Sequence, residues 1–240
     1  MTYEELKKEV EKVHNLIKEI AKENKEVDEI FAGTQIMFSQ LEALDENKPK
    51  ILLLGINPGW GYWQENDIIV EKFDEQKELD YKDGEYDLAK NIKSFFIDYC
   101  KMEDLFETNV IKSNFFYFAT ENLSEYKKLK NKLLEIEEFK NCATSILKQE
   151  ENDPLFCLAK RWTKALIEDI IKPDIIICEG KTTNENYLIN AIKNDDCGFK
   201  INFDKDKSIF LSRTFSTISN EEKEKKCKEL KEKLDNLNKN

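Results

Sequence analysis

Histidine is almost absent from this chain: His14 is the only one in 240 residues. That single count excludes a Ser–His–Asp triad, a workable Cys–His dyad and any multi-histidine metal site. His14 falls inside an N-terminal helical pattern, where a solvated position is expected. Arginine is nearly as scarce, with Arg161 and Arg213 alone among 38 basic residues. Where a lysine-rich composition retains an arginine, a planar, bidentate donor is the use to look for. Seven glycines and four prolines leave few sharp turns, so long amphipathic helices and short linkers are expected. No apolar run approaches the roughly 18 residues of a membrane-spanning helix. The opening MTYEELKKEV has no apolar core of the secretory type, so the expected location is cytoplasmic. The six cysteines form no C-x-x-C pair and flank no histidine at metal-ligand spacing. Reduced, mostly buried thiols are expected, with no metal and no cofactor.

Charge is abundant, at 36% of residues, and unbalanced, with a formal net charge of -11. Residues 65–87 alone hold ten acids and three lysines, a local -7, which leaves -4 for the rest. Phosphate binding is driven by cationic side chains that release counterions, so a nucleic-acid partner must use a local patch on such a protein. The length fits one domain or two small ones.

Hydrophobic periodicity organises the chain. Thr2-x-x-Glu5 is a capping box that opens a helix with Val10, Val13, Ile17 and Ile20 at helical spacing. A second helix is predicted from Asp28 to about Leu44. Ile51–Gly55 is fully apolar and stopped by glycine and proline, as in a strand buried on both faces. A helix near Leu88–Cys100 and a strand from Phe106 to Lys112 follow. Helices are predicted over Ser124–Glu138, Asn141–Glu150 and, capped by Asp153-Pro154, to about Ile171. Ile175–Cys178 is another buried strand, and Thr182 caps a helix after it. Ser208–Leu211 is a fourth strand, and Ser219 caps a C-terminal helix with a solvated face. The alternation implies one α/β domain over 1–240: three α/β/α layers around a central, mainly parallel four-stranded sheet. Helices of 1–48 pack on it, and 220–240 forms the last helix.

Ligands in open parallel sheets gather beyond the carboxyl ends of the strands. Three such ends carry uncommon residues: Gly55-Ile56-Asn57-Pro58-Gly59, Thr108-Asn109 and Ser212-Arg213. The first lacks both the G-x-G-x-x-G of dinucleotide binders and the Lys-Ser/Thr of a P-loop. LLLGINPG resembles the first motif of the uracil-DNA glycosylase superfamily, in its mismatch-specific and single-strand-selective branches. The order of elements agrees over roughly residues 50–220. Glu107-Thr108-Asn109-Val110 looks like that family's base-reading strand, PDIIICEGK resembles its third strand, and SIFLSRTFSTIS stands in the place of its final motif.

The resemblance implies excision of uracil or a related damaged base from DNA, by flipping the nucleotide out and hydrolysing its N-glycosidic bond. Carried over by position, Asn57 orients the attacking water and Asn109 pairs with the edge of the flipped base. Gly55, Ile56, Pro58 and Gly59 shape the pocket, and Trp60, Tyr62 or Trp63 stacks on the base or walls it in. Ser212-Arg213 stands where the family has histidine or asparagine, then proline and serine. Arg213 is then the donor to developing negative charge, beside Ser212. Other readings stay open. Asn57-Pro58 is also a common turn, Asn109 a common buried amide tying loops together, and Arg213 a common surface ion-pair partner. At the level of function the alternatives are a non-catalytic module that binds a nucleobase, nucleotide or protein partner, and an enzyme of free nucleosides. No membrane partner is expected.

Overall fold

The computed structural model describes residues 1–39, 41, 44–57, 64–65, 68–69, 72–73, 81–82, 84, 86–179, 197–202, 204–237 and 239. In chain order the elements begin with helices α1 (Tyr3–Glu23) and α2 (Lys25–Asp28), then strands β1 (Gly33–Thr34) and β2 (Ile51–Gly55). Short strands β3 (Gln64–Glu65), β4 (Ile68–Ile69) and β5 (Lys72–Phe73) follow. Helix α3 (Asp87–Ser94) runs into a π-helical turn over Phe95–Tyr99, and α4 (Glu103–Asn109) leads into β6 (Val110–Asn114) and β7 (Phe118–Ala119). Next come α5 (Leu123–Leu134), α6 (Glu137–Leu147) and α7 (Pro154–Ala165), which widens to π geometry over Leu166–Ile171. Strands β8 (Ile175–Cys178) and β9 (Ser208–Phe210) precede the last helix, α8 (Asn220–Leu237).

The main sheet has the order β6-β2-β8-β9, and every neighbouring pair is parallel. Alternation along β2 builds two cores. Leu52 and Leu54, with Ile111 and Ile176, join the apolar faces of α1, α5, α6 and α7. Ile51 and Leu53, with Val110, Ile175, Ile177 and Ile209, meet α3, α4 and α8 on the other face. Burial on both faces is why β2 and β8 are unbroken apolar runs. Mixed α/β layering around a four-stranded parallel sheet is therefore the architecture. A smaller sheet, β5-β1-β7, lies beside it.

Capping chemistry sets several helix starts. Thr2 and Glu5 form the reciprocal box at α1, Asp153 accepts from Phe156 N ahead of Pro154 in α7, and Ser219 Oγ accepts from Glu222 N at α8.

Four expectations need correction. The helix predicted from Asp28 to Leu44 is absent among the described residues: the single turn α2 ends at Asp28, where that helix was to begin. Beyond it Gly33 takes φ 137°, Ala32 N bonds Ala119 O, and Gln35 N bonds Tyr117 O. Pairing with β7 outweighs the helical pattern there. The strand predicted from Phe106 to Lys112 starts at Val110 and ends at Asn114, so Asn109 closes a helix instead. Glu103 and Asp104 favour the first turn of that helix, and Phe106 stacks on Phe96 at 5.8 Å. His14 is buried rather than solvated: its Nδ1 lies 2.8 Å from Thr34 Oγ1 and its ring 5.5 Å from that of Phe31. Burial lowers its pKa to about 4, with the charge of Lys18 adding to the effect. Cys157 and Cys197 are joined as a disulfide, where thiols were expected. The helix predicted after Thr182 lies outside the described residues.

Candidate active site at the carboxyl edge of the sheet

Strand β2 delivers Gly55, Ile56 and Asn57 to the carboxyl edge of the sheet. The second strand holds them there, with Phe115 N bonded to Gly55 O at 2.9 Å and Phe116 N to Ile56 O at 2.8 Å. Ile56 packs against the core on the α1 side. Asn57 is half-buried, and its Nδ2 donates to Thr120 Oγ1 at 3.2 Å. That hydroxyl spends its own proton on Asn122 O at 2.9 Å, so towards Asn57 it acts as an acceptor. The nitrogen end of the Asn57 amide is thereby assigned to Thr120.

Beside it lies a cluster that the sequence reading missed. Register pairs Leu53 with Lys112 and Gly55 with Asn114. Lys112 and Asn114, two apart on β6, share the face that carries Val110. Lys112 Nζ donates to Ser113 O at 3.1 Å and to Asn114 Oδ1 at 3.4 Å. It also lies 3.2 Å from Glu179 Oε1, on the residue directly after β8. Glu179 is anchored through its N–H to Leu54 O at 2.9 Å. The two charged side chains are 4% and 3% exposed. Charge attracts across this pair, but Oε1 is off the hydrogen-bond line and accepts no hydrogen bond.

Gly55 is what makes room. A Cβ there would collide with Asn114 Oδ1 and come within 2.8 Å of Lys112 Nζ, so the ammonium reaches over the glycine. Asn114 is 4% exposed, and its Nδ2 makes no hydrogen bond among the described residues. A buried ion pair is no better for stability than two apolar residues of the same volume, although removing one partner is costly. A cation, a carboxylate and an amide with uncommitted donors among the described residues, together at the carboxyl edge of a parallel sheet, make this a candidate ligand site.

Asn109 is not part of this cluster. It sits at the amino end of β6, fully buried, about 16 Å from Asn114 at the carboxyl edge at ~3.3 Å per strand residue. Its Oδ1 accepts from Asp45 N at 2.9 Å, and its Nδ2 donates to Asp45 O at 2.7 Å and Lys48 O at 2.9 Å. Asn109 is the buried amide that ties the turn leading into β2 to the end of α4.

Ser212 lies at the carboxyl edge, two strands away from β2, but its N donates to Glu222 Oε1 at 2.5 Å and its hydroxyl to Glu222 Oε2. Arg213 is exposed and makes no ion pair among the described residues. Pro58, Gly59, Trp60, Tyr62 and Trp63 lie outside the described residues. The other arginine is structural: Arg161 grips both oxygens of Glu9, which also accepts from Trp162 Nε1, and so clamps α1 to α7. The structure thus gathers Gly55, Ile56, Asn57 and Ser212 on one edge, adds Lys112, Asn114, Thr120 and Glu179, and removes Asn109. A signal for the additions does exist. Lys112 and Glu179 are charges placed within or directly after runs that are otherwise apolar, VIKSN and IIICE.

Comparison of the chain with protein-family models, with curated proteins and with solved structures returns no match to any of them.

Proposed function

We propose that this protein is a uracil-DNA glycosylase-like hydrolase that takes a flipped nucleobase at the carboxyl edge of its sheet and cleaves the N-glycosidic bond. The observation that carries the reading is the Asn57 amide, pinned at its nitrogen by Thr120 directly after the central strand. In this reading its carbonyl oxygen orients a water toward the sugar carbon. The C–N bond breaks as the new C–O bond forms, its electron pair leaves on the base, and the water's proton passes to solvent. An amide is a weak base, so Asn57 works by positioning, and the leaving base carries the developing charge. Asn114 takes the base-reading role that the resemblance implies for Asn109, because it shares the edge with Asn57. Arg213, exposed beyond β9, is available to a phosphate or to the departing base.

One observation favours a second reading, in which the pocket binds a base without hydrolysing it. Ser212, at the head of the final motif, is engaged by Glu222 of α8 rather than turned to a ligand.

Uracil-containing oligonucleotides, single- and double-stranded, test both readings, with alkali to reveal abasic sites. Cleavage that falls on Asn57→Ala supports the hydrolase. No product at stoichiometric protein and low salt overturns it, and base binding without product selects the second reading.

A further inference from the structure

Two cysteines and a carboxylate meet at a point that the carboxyl-edge cluster does not include. Cys157, in the first turn of α7, is bonded to Cys197, which opens the described stretch 197–202 ahead of β9. Glu151, just before that helix, reaches the same point, and the two sulfurs and a Glu151 oxygen all lie within 4.8 Å of one another. Among the described residues no other three His, Cys, Asp or Glu side chains gather this closely. Joined, the sulfurs are a disulfide. Reduced, the same atoms are two thiolates and a carboxylate, a donor set that suits zinc.

We propose that Cys157, Cys197 and Glu151 form a redox-gated metal site, which binds one zinc ion when the pair is reduced and releases it when the disulfide forms. This stands apart from the base-binding reading above. The observation that carries it is that the bridge is not all that holds Cys197 in place. Asn202 N donates to Glu168 Oε1 at 2.8 Å, Lys164 Nζ donates to Lys200 O at 2.5 Å, and Ile201 is buried in the core. These anchors fix the stretch to α7 and its π-helical continuation, so opening the bridge leaves the two thiols facing each other. The ligands are then in place before the ion arrives, and binding spends little on ordering them. Gln149 orients the third: its Nε2 donates to Glu151 Oε1 and, at 3.4 Å, to Cys197 O. Both cysteines are buried and Glu151 is half-buried, so the carboxylate is the side open to an entering ion. Three protein ligands leave the fourth tetrahedral position to water, whereas an iron–sulfur cluster would need four thiolates.

The cycle balances. A dithiol reductant gives two electrons and two protons to the S–S bond and itself becomes a disulfide. Zinc then displaces the two thiol protons to solvent. Exchange with a small-molecule disulfide re-forms the bridge, takes up two protons as that disulfide becomes two thiols, and frees the ion.

Zinc binding to the full chain is measured calorimetrically in the disulfide form and after reduction by a phosphine that is then removed. Cys100, Cys142, Cys178 and Cys227 are free in both forms, so the difference isolates the pair. One zinc per chain binds on reduction, and that binding is missing from the disulfide form and from Cys157→Ser/Cys197→Ser. Cobalt(II) in place of zinc gives thiolate-to-metal charge-transfer absorption in the reduced form alone. Glu151→Gln keeps the bridge and weakens the reduced site about tenfold or more. Equal uptake in the two redox states, no uptake on reduction, or an affinity unchanged in Glu151→Gln overturns the proposal. Loss of the native circular-dichroism spectrum on reduction overturns it too, because the bridge alone would then be holding Cys197. If the double serine variant does not fold, the two redox forms of the wild type carry the comparison.

Discussion

The two ends of the main sheet treat the same kind of side chain in opposite ways. At the amino end, Asn109 is fully buried and saturated, with both amide hydrogens and the carbonyl committed to backbone of the Asp45–Lys48 turn. At the carboxyl end, five residues later, Asn114 is nearly as buried, yet among the described residues only its oxygen is engaged, by Lys112. A saturated amide stabilises a turn and has nothing left to offer. A half-used amide beside a buried ion pair adds less to stability and leaves donors uncommitted, as the proposed ligand site requires. Saturation, more than burial or residue type, separates the structural end of this sheet from the chemical one.

Breaking the ion pair gives the largest expected effect. Glu179→Ala alone leaves Lys112 buried and unpaired, and should lower unfolding stability by about 3–5 kcal/mol in urea titrations. Lys112→Met/Glu179→Met should recover most of that loss, and a double variant as unstable as the single would mean that the charges themselves hold the edge together.

Away from the sheet edges, His14 gives a control of a different kind. Its folded pKa of about 4 lies below the ordinary 6.5, so above pH 6.5 both states are neutral and it contributes no pH dependence. As pH falls from 6.5 to 4 the unfolded chain takes up the proton first, and stability drops by about 3 kcal/mol. His14→Gln should flatten the unfolding profile over that window by this amount. An unchanged slope would place the histidine in solvent.

Asn109→Ala strands three backbone groups and should cost about 2 kcal/mol in stability. Asn114→Ala should cost under about 1 kcal/mol, the smallest change, with circular-dichroism melts as the readout. Equal losses at the two positions would erase the distinction drawn between the two ends.

Much of this architecture is legible from local pattern. Ile51–Gly55 and Ile175–Cys178 are apolar on both faces because helices cover both, and each strand is found where its run predicts it. Helices opened by Thr2, Asp153 and Ser219 announce themselves through caps that act within three residues. What is not legible depends on distant partners. Lys112 reads as the end of a strand because a lysine within a buried run is costly. The strand continues because Glu179, 67 positions onward, supplies the countercharge. Residues 28–44 carry a helical pattern, but Ala32 and Gln35 pair with the β7 region more than 80 residues away. Placing the second strand too early put Asn109 at the carboxyl edge, where the structure has Asn114. The Cys157–Cys197 bridge, across 40 residues, gives no local sign at all.

The most direct test of the account is cleavage of a uracil-containing single strand by three proteins side by side: wild type, Asn109→Ala and Asn114→Ala, each confirmed folded at the assay temperature. The account predicts cleavage by the wild type, a rate within about twofold of it for Asn109→Ala, and a loss of about 100-fold or more for Asn114→Ala. Loss at Asn109 with activity kept at Asn114, or no cleavage by any of the three, would contradict it.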